Sequence, residues 1–428
     1  MRHPAPPRPQ QVEFLLDLYR HALAAADPMK VLPPHLPEPP RGRTVVVGMG
    51  KAAAAMARAV EQHWRGPLGG VVVVPPGASL PLERIELIEG RHPVPDERSV
   101  AAGQRLMRAV TGLGPDDLVI ALISGGGSAL CALPAQGISL AQKQAITQAL
   151  LLRGATIAEM NTVRKHLSAI KGGRLAMQAW PARVVSLLIS DIPGDDPALI
   201  ASAPTLADAS SCADALRVLD RYAIELSAPL RSALAAGALE SPKPQDPRFA
   251  GHLHAVIACA QDGLDAAAEA ARRQGWKAHV LSDSMEGEAR ELAMAHAAIA
   301  TQVQRRGQPF EAPCVLLSAG EATVTVNGQG RGGRNTEFAL ALAIALGGRS
   351  GIHALSAGTD GLDGNSGAAG AWISPATLQR ARACARTPQE ALLDNDSGSF
   401  FEAVDGLVST GPTLTNINDF RAVIVEAA

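Results

Sequence analysis

Short runs of β-branched and aliphatic residues alternate with helical segments along most of the chain. Each run ends in a loop rich in glycine, serine or aspartate, as in TVVVGMG, DLVIALISGGG and RVVSLLISDIPGDDP. Continuous apolar runs of this length are typical of parallel strands that are covered by helices on both faces, so the pattern predicts an α/β fold. Because ligands of such sheets bind at the carboxyl ends of the strands, we expect the chemistry to lie in these loops.

The length of the chain predicts two domains, because 428 residues exceed what one hydrophobic core usually organises. The stretch SPKPQDP, at 241–247, combines three prolines with charge and lacks helical periodicity, so we expect the boundary there. This gives an amino-terminal domain over 8–243, in which residues 11–26 have the apolar spacing of a helix. The carboxyl-terminal domain covers 249–428 and ends in a predicted strand, FRAVIVEA, at 420–427.

Charge and cysteine usage narrow the expected partners. With 39 basic and 41 acidic residues, a net charge of -2 and 3% aromatic residues, the chain offers neither a field nor stacking platforms for nucleic acid. The cysteines are odd in number and form no C-x-x-C pair, which argues against a disulfide framework or structural zinc. No signal-peptide core or membrane span is evident, so we expect a cytoplasmic protein without membrane partners.

The first candidate anion site follows the run TVVVGMG. Gly48 and Gly50 form a tight turn from strand to helix, and Lys51 stands at the first helical positions, where backbone amides and the helix dipole favour an anion. The spacing differs from that of a Walker A loop and matches a dinucleotide fingerprint only in part. The next strand ends in VVVVPPG without the acidic residue that a nicotinamide cofactor requires. A glycine turn beside a solvated lysine is the structural alternative.

The second candidate is the loop in LISGGGSAL, where three consecutive glycines permit a nest of backbone donors before a helix. A carboxylate or phosphate fits such a nest, and a purely structural turn is the alternative. The loop is not a hydrolase elbow, because Leu130 stands where G-x-S-x-G requires glycine. Its candidate ligand-binding residues are Ser124, Gly125, Gly126, Gly127 and Ser128.

Two further segments of the first domain carry charge that suits phosphate or magnesium. NTVRKHLSAIKGGRLA concentrates basic residues, of which Lys165 is the candidate phosphate ligand, although a solvated helix face explains the pattern equally well. SDIPGDDP places Asp191 directly after a buried strand, with Asp195 close behind. Carboxylates at this position are typical magnesium ligands in phosphoryl transfer, and turn formation is the alternative.

The second domain repeats this chemistry in two loops. GQGRGGRNTEF reads as a glycine-rich loop and a helix start, with Arg331, Arg334 and Asn335 as candidates for binding phosphoryl oxygens. GTDGLDG adds Asp360 and Asp363 in another strand-end loop, and Asp360 is the candidate metal ligand. Anion nests, cations and acidic loops together favour phosphoryl transfer over hydride transfer or hydrolysis.

Eight segments in order resemble the landmarks of the class II glycerate kinases, whose carboxyl-terminal part is called the MOFRL domain: GMGKAAAAMA, RHPVPDE, LISGGGSAL, NTVRKHLSAIKGGRLA, SDIPGDDPALIASAPT, GQGRGGRNTEFAL, GTDGLDGNSGAAGA and TGPTLTNINDF. The resemblance runs from about residue 12 to the end. It implies a Rossmann-like parallel-sheet domain, a smaller α/β MOFRL domain and an active site in the cleft. It further implies that ATP and Mg²⁺ serve to convert D-glycerate to 2-phosphoglycerate, with Lys51 and Arg334 as the essential residues.

The chain departs from the family pattern at three positions, namely Gly367 for aspartate, and Ala203 and Leu414 for glycine. Two other functions stay open. Members of the family are often labelled hydroxypyruvate reductase, which implies an NAD(P)H-dependent enzyme, and the same scaffold could serve as a non-catalytic sugar-acid-binding protein. A homodimer is an oligomeric state that the sequence leaves open.

Overall fold

The computed structural model describes residues 9–383 and 387–427. Within them the strands form two six-stranded sheets and a two-stranded pair. The strands of the first sheet are β1 (Thr44–Met49), β2 (Gly69–Val74), β3 (Ile85–Glu89), β4 (Leu118–Ser124), β5 (Arg183–Ile189) and β6 (Leu253–Ala258). The remaining strands are β7 (Lys277–Ser282), β8 (Gly287–Glu288), β9 (Cys314–Gly320), β10 (Ala322–Thr323), β11 (Ile352–Gly358), β12 (Gly370–Ile373), β13 (Leu407–Val408) and β14 (Asp419–Val425).

Sixteen α-helices of the described residues connect or cover these strands. They are α1 (Gln10–Ala25), α2 (Pro28–Val31), α3 (Ala53–His63), α4 (Glu97–Ala109), α5 (Gly127–Leu130), α6 (Leu140–Leu152), α7 (Ile157–His166), α8 (Arg174–Ala179), α9 (Cys212–Arg221), α10 (Ala228–Ala235), α11 (Ala260–Arg273), α12 (Ala289–Arg306), α13 (Arg334–Leu346), α14 (Thr377–Arg380), α15 (Pro388–Leu393) and α16 (Ser397–Ala403). In this part of the chain no helix combines the length and the apolar character needed to cross a membrane.

The first sheet has the strand order β3-β2-β1-β4-β5-β6. The pairs β3 with β2, β2 with β1, β1 with β4, and β4 with β5 are all parallel. β4 is buried at every residue, as expected for a strand covered on both faces. This is the Rossmann order, and it confirms the predicted parallel α/β sheet.

The second sheet has the order β13-β12-β11-β14-β9-β7 and mixes directions. β7 runs parallel to β9, whereas β14 is antiparallel to both of its neighbours, β9 and β11. The predicted terminal strand at 420–427 is therefore confirmed. It lies inside the sheet, and all seven residues of β14 are buried.

The chain divides into two compact units that differ from the predicted domain ranges. The amino-terminal unit comprises Pro28–Ser190 and Asp195–Ile257, and the carboxyl-terminal unit comprises Asp191–Gly194, the described residues up to Asp27 and those from Ala258 onward. The expected boundary at 241–247 thus lies before β6, the last strand of the first sheet. β6 is hydrogen-bonded to β5, so the first unit continues past the expected boundary. Arg8, the first residue of the predicted range 8–243, lies outside the described residues.

Helix α1 belongs to the carboxyl-terminal unit, although the sequence analysis placed it in the amino-terminal domain. Its apolar side chains, including Leu15 and Leu18, pack in one cluster with Leu264 and Ala267 of α11. Small residues on α11 allow this approach, since a Cβ added to Gly263 would stand 3.4 Å from the Cβ of Ala22. Sequence order alone did not reveal this long-range packing.

The three departures from the family pattern all have left-handed backbone conformation. Ala203 has φ 48°, Leu414 has φ 62° and Gly367 has φ 78°. Left-handed conformation is unfavourable for residues with a Cβ and costs them about 1–2 kcal/mol. Ala203 and Leu414 therefore carry backbone strain that glycine avoids, whereas Gly367 suits its conformation.

We expect Ala203→Gly to raise the free energy of unfolding by about 0.5–1 kcal/mol, because relief of the strain exceeds the added flexibility of the unfolded chain. Chemical denaturation monitored by far-UV circular dichroism would measure the change. The matched control is Ala59→Gly in α3, a buried helical site without positive φ, where we expect destabilisation of about 1 kcal/mol. Equal destabilisation by both variants would contradict the strain at Ala203.

Candidate active site

The loops that follow β1 and β4 meet at the point where the first sheet reverses its winding. From β1 the chain returns to the sheet at β2 on one side, and from β4 it returns at β5 on the other. In open α/β sheets the crevice at such a switch point is the usual ligand site. The structure therefore brings together the first two candidate anion sites, around Lys51 and around Gly125–Ser128.

Two hydrogen bonds fasten these loops to each other. The amide of Lys51 donates to the carbonyl of Gly125 at 2.9 Å, and the amide of Ala52 donates to Oγ of Ser124 at 3.0 Å. Ser124 is fully buried. Gly50 has φ 132°, and a Cβ added there would overlap Oγ of Ser124. Gly50 and Ser124 thus have a structural explanation, and ligand contacts from them stay a prediction.

The triple-glycine loop presents backbone donors. Gly126 has φ 81°, and α5 begins at the next residue. Among the described residues, no protein atom accepts a hydrogen bond from the amides of Gly126, Gly127 or Ser128. A Cβ added to Gly126 would stand 3.5 Å from Cγ of Lys51 and 3.3 Å from Nε2 of His92, so both side chains border these amides. This arrangement suits an anion.

A directed hydrogen-bond chain holds the hydroxyl of Ser128. Nζ of Lys171 contacts the carbonyl of Ser128 at 2.5 Å and also its Oγ. Ser202 donates to Oδ1 of Asn161 at 2.7 Å, so in its 3.0 Å contact with Ser128 the hydroxyl of Ser128 is the donor. The other lone pair of Ser128 Oγ is thereby positioned as an acceptor.

Three basic side chains near this chain of hydrogen bonds have no carboxylate partner among the described residues. In the part of the chain that the structure describes, no carboxylate pairs with Lys143, Arg164 or Lys171, and both lysines are buried. Burial, then the charges of Arg164 and Arg174, lowers the pKa of Lys143 to about 7. Burial, then Lys143 and Arg164, lowers the pKa of Lys171 well below its ordinary value. Such a cluster favours a nearby anion.

Two other candidates of the amino-terminal unit have contacts that the sequence did not suggest. Nζ of Lys165 lies 3.2 Å from Oδ1 of Asp208, and this ion pair is buried on both sides. The pairing explains Lys165 structurally, so its predicted phosphate contact stays a prediction. Asp195 is half-buried and has φ 52°, in the loop that follows β5.

The glycine-rich loop of the carboxyl-terminal unit, residues 327–333, uses its backbone amides inside the protein. The segment 394–396 accepts hydrogen bonds from the amides of 327–331 at 2.8–3.0 Å. The side chains of Asn365 and Thr336 accept hydrogen bonds from the amides of Gly332 and Gly333, respectively. The expectation of an anion nest in this domain is therefore not met by these amides, because the protein supplies the acceptors itself.

The first backbone amides of α13 also find their hydrogen-bond acceptors inside the protein. Both carboxylate oxygens of Asp363 accept hydrogen bonds, Oδ1 from the amide of Asn335 at 2.8 Å and Oδ2 from Thr336. Burial, against the lowering effect of these hydrogen bonds, raises the pKa of Asp363 to about 6. The side chain of Asn335 is buried between Asp419 and Ser356. Its predicted phosphate contact stays a prediction.

Arg334 is held by acidic groups of the same unit. Its Nε donates to Oδ1 of Asp419 at 2.8 Å, and its Nη1 donates to Oε1 of Glu321 at 2.7 Å. Burial alone would lower the pKa of Arg334, but the two carboxylates raise it well above the ordinary value. Asp419 is fully buried, whereas the Glu321 side chain is 47% exposed. Arg331 pairs with Glu402, and its Nε is buried without a partner among the described residues.

The two predicted metal ligands lie beside one loop of the carboxyl-terminal unit. Oδ2 of Asp191 accepts from Nδ2 of Asn416 at 2.7 Å, and the carbonyl of Asp360 accepts from the amide of Thr413 at 3.2 Å. Within 9–383 and 387–427 they belong to no cluster of three potential metal ligands. Magnesium commonly takes one or two carboxylates and completes its shell with phosphate and water, so these residues fit its chemistry.

Sequence reasoning missed the residues that act through partners distant in sequence. Asp419 accepts from Arg334, Asn335, Arg421 and the amide of Ala322. Asp419 directly precedes the predicted strand 420–427 and lies in the family segment TGPTLTNINDF, but neither signal indicated these contacts. Lys143 lies in α6 without any motif, and only its burial distinguishes it.

This two-unit α/β protein has a Rossmann-type first sheet whose switch-point loops carry Lys51 and the amides of Gly126–Ser128. Family models agree with that division: a domain of unknown function, DUF4147, matches residues 14–235, and the MOFRL family matches residues 314–419. The chain belongs to the class II glycerate kinases, the MOFRL family.

Relatives match nearly the whole chain. D-glycerate 2-kinase of Thermotoga maritima is 40% identical over 413 residues, covering 95% of this chain and 96% of the relative. A protein of Agrobacterium vitis named putative hydroxypyruvate reductase is 50% identical over 416 residues, covering 96% and 94%. The crystal structure of glycerate kinase from Thermotoga maritima has a TM-score of 0.86 at 38% identity and covers 97% of this chain and 100% of that chain.

We expect Lys143→Met to raise stability at neutral pH and to flatten its pH dependence. The folded pKa of about 7 lies below that of an unfolded lysine, so unfolding takes up a proton above about pH 7. The free energy of unfolding therefore rises with pH between about 7 and 10, while below pH 7 the full cost of the buried charge remains. Removing that charge should stabilise the protein by about 1–4 kcal/mol.

Urea denaturation at several pH values from about 7 to 10 would measure this effect. The matched control is Lys277→Met, because Lys277 is an exposed lysine that pairs with exposed Glu311. We expect its curve to follow that of the unchanged protein. Parallel curves for all three proteins would show that Lys143 is charged and solvated in the folded state.

Proposed function

We propose that this protein is an ATP-dependent kinase that phosphorylates D-glycerate to 2-phospho-D-glycerate with Mg²⁺. The observation that carries the proposal is the row of backbone amides at Gly126, Gly127 and Ser128, bordered by Lys51, at the switch point of the first sheet. Phosphoryl transfer needs positioned donors and charge more than covalent chemistry, and this loop offers both. The names of the relatives, which include D-glycerate 2-kinase, support the same reaction.

In this proposal the amino-terminal unit binds anions through Lys51 and the triple-glycine amides. The C2 hydroxyl of D-glycerate attacks the terminal phosphorus of ATP, the bond to the bridging oxygen breaks, and ADP leaves with that oxygen, while the hydroxyl proton is released to solvent. Lys51 polarises the transferring group. Ser128, whose own proton points to Ser202, offers an acceptor lone pair to a substrate hydroxyl, and Lys171 keeps it in that orientation.

Arg334 neutralises charge that grows on the phosphoryl oxygens in the transition state. Its buried partner, Asp419, fixes the guanidinium through Nε, while the contact with half-exposed Glu321 is the one that a phosphate could replace. A guanidinium that is already oriented loses little conformational freedom on binding. Arg331 and Asn335 remain proposed phosphate-binding residues.

Asp191 and Asp360 would hold Mg²⁺, which supplies charge that screens the phosphate oxygens from the attacking hydroxyl. Their carboxylate oxygens are the hard ligands that this ion prefers. Asn416 and the backbone of Thr413 orient the two aspartates from the same loop. A cytoplasmic location is also part of the proposal.

Hydroxypyruvate reduction is the second candidate, because the relatives from Agrobacterium vitis that are 50% identical carry that name. A Rossmann-type dinucleotide site usually places an acidic residue at the end of the second strand, where it binds the ribose. Here β2 ends at Val74 and is followed by Pro75 and Pro76. The absence of that carboxylate favours the kinase.

We expect Lys51→Met and Arg334→Lys each to lower kcat with D-glycerate by about 10²–10³-fold, because each removes positioned charge from the transition state. A coupled assay for ADP would measure the loss. Lysine is the better replacement for Arg334, since alanine would leave buried Asp419 unpaired and destabilise the fold. The control is Lys277→Met, which changes an exposed lysine at the start of β7. Near-normal turnover in both test variants would refute the assigned roles.

We also expect the purified protein to form ADP from ATP and D-glycerate and to leave NADH unchanged with hydroxypyruvate. Phosphorus NMR of the product would show whether the C2 or the C3 oxygen carries the phosphate, and both glycerate enantiomers should be compared. The Lys51→Met variant serves as the blank for contaminating kinases. NADH consumption without ADP formation would favour the reductase, and inactivity in both assays with glycerate binding would favour a sensor.

A further inference from the structure

A histidine, a cysteine and a glutamate meet in the amino-terminal unit, in a place that the proposed kinase reaction does not use. His166 ends α7, Cys212 begins α9, and Glu240 lies beyond α10. One ligand atom from each lies within 4.8 Å of the other two. His166 and Cys212 are buried, whereas the Glu240 side chain is 36% exposed and gives access from solvent.

The hydrogen bonds of His166 fix which ring nitrogen has a lone pair. Nδ1 lies 2.8 Å from the carbonyl of Thr162, which can only accept, so Nδ1 carries the hydrogen. In the neutral ring Nε2 is then an acceptor, and it faces Oε1 of Glu240 at 3.2 Å. Ser241 cannot bridge them, because its hydroxyl donates to Oδ2 of Asp208 at 2.9 Å. A cation held between these two acceptors would interact favourably with both.

A divalent ion would leave the cluster without net charge. Its two positive charges balance one thiolate and one carboxylate beside a neutral imidazole. Because zinc binds cysteine as the thiolate, metal binding would release the thiol proton.

We propose that Nε2 of His166, Sγ of Cys212 and Oε1 of Glu240 bind one Zn²⁺ ion. Thiolate and imidazole ligands select zinc over magnesium, and a carboxylate completes a common ligand set. The contact from Nδ1 of His166 to the backbone is the kind of outer contact that orients zinc-binding histidines. The absence of a C-x-x-C pair argued against structural zinc, but here the ligands come from three separate segments.

The ammonium group of Lys243 would repel a bound metal ion, and this provides a second test of the proposal. Its ammonium contacts Oε1 of Glu240, the same oxygen that would bind zinc. It also donates to Oγ of Ser241 at 2.9 Å and to the carbonyl of Ser210. Because a cation beside a cation weakens binding, Lys243→Met should bind Zn²⁺ more tightly than the unchanged protein.

Chelator competition with Zn²⁺ and absorption spectroscopy with Co²⁺ would test the site in the full-length protein. We expect a thiolate-to-cobalt charge-transfer band, proton release on metal binding, and no displacement by excess Mg²⁺. Cys212→Ser should lose the band and weaken Zn²⁺ binding at least about tenfold. The matched control is Cys131→Ser, a buried cysteine of the same unit that is not in the cluster, which should keep both.

Far-UV circular dichroism of each variant without metal shows whether the fold is intact. If Cys212→Ser misfolds, the tighter Zn²⁺ binding expected of Lys243→Met decides the proposal, because that side chain binds no metal itself. A missing charge-transfer band in the unchanged protein would overturn the proposal. Equal Zn²⁺ affinity in the unchanged protein, Cys212→Ser and Lys243→Met would overturn it as well.

Discussion

Satisfaction of backbone amides is the constraint that separates the two glycine-rich loops of this protein. Both loops need glycine, because the chain approaches other backbone closely or adopts positive φ. In residues 327–333 the amides find acceptors in 394–396, Asn365 and Thr336, so that loop is a built part of the carboxyl-terminal unit. Around Gly126 no described residue supplies such acceptors. Two glycine-rich loops of similar sequence therefore differ in whether their backbone amides are available to a ligand.

Charge is balanced differently in the two units as well. In the carboxyl-terminal unit Asp419 compensates Arg334 and Arg421, so the arginine that the family resemblance marks as essential is held in place before any ligand binds. In the amino-terminal unit Lys143, Arg164 and Lys171 have no carboxylate partner among the described residues. Buried charge of one sign destabilises a fold, and a bound anion offsets that cost. The excess positive charge near Ser128 thus agrees with an acidic substrate.

Much of the fold was readable from the sequence, because continuous apolar runs such as 118–124 indicate strands that are covered on both faces. The runs do not fix strand direction, since the equally buried β14 is antiparallel to both of its neighbours. Lys51 and the triple glycine were found for a similar reason: a strand-to-helix turn carries its signal within a few residues. The position of α1 on α11 and the contact of Asp419 with Ala322 were not readable, since they join residues that are far apart in the chain, 97 positions in the case of Asp419. The buried ion pair of Lys165 with Asp208 was not readable either, because its partner lies in a segment distant from the local motif.

The last strand of the described residues is an inner strand of its sheet. β14 stands between β9 and β11, and it carries Asp419 at its first residue. Until β14 is synthesised, those two neighbours have no partner between them and Arg334 lacks its buried counter-charge. The first sheet, complete at Ala258, can assemble while the remainder is still being translated. A premature stop or a proteolytic cut shortly before β14 would thus remove an inner strand of the second sheet rather than an edge strand.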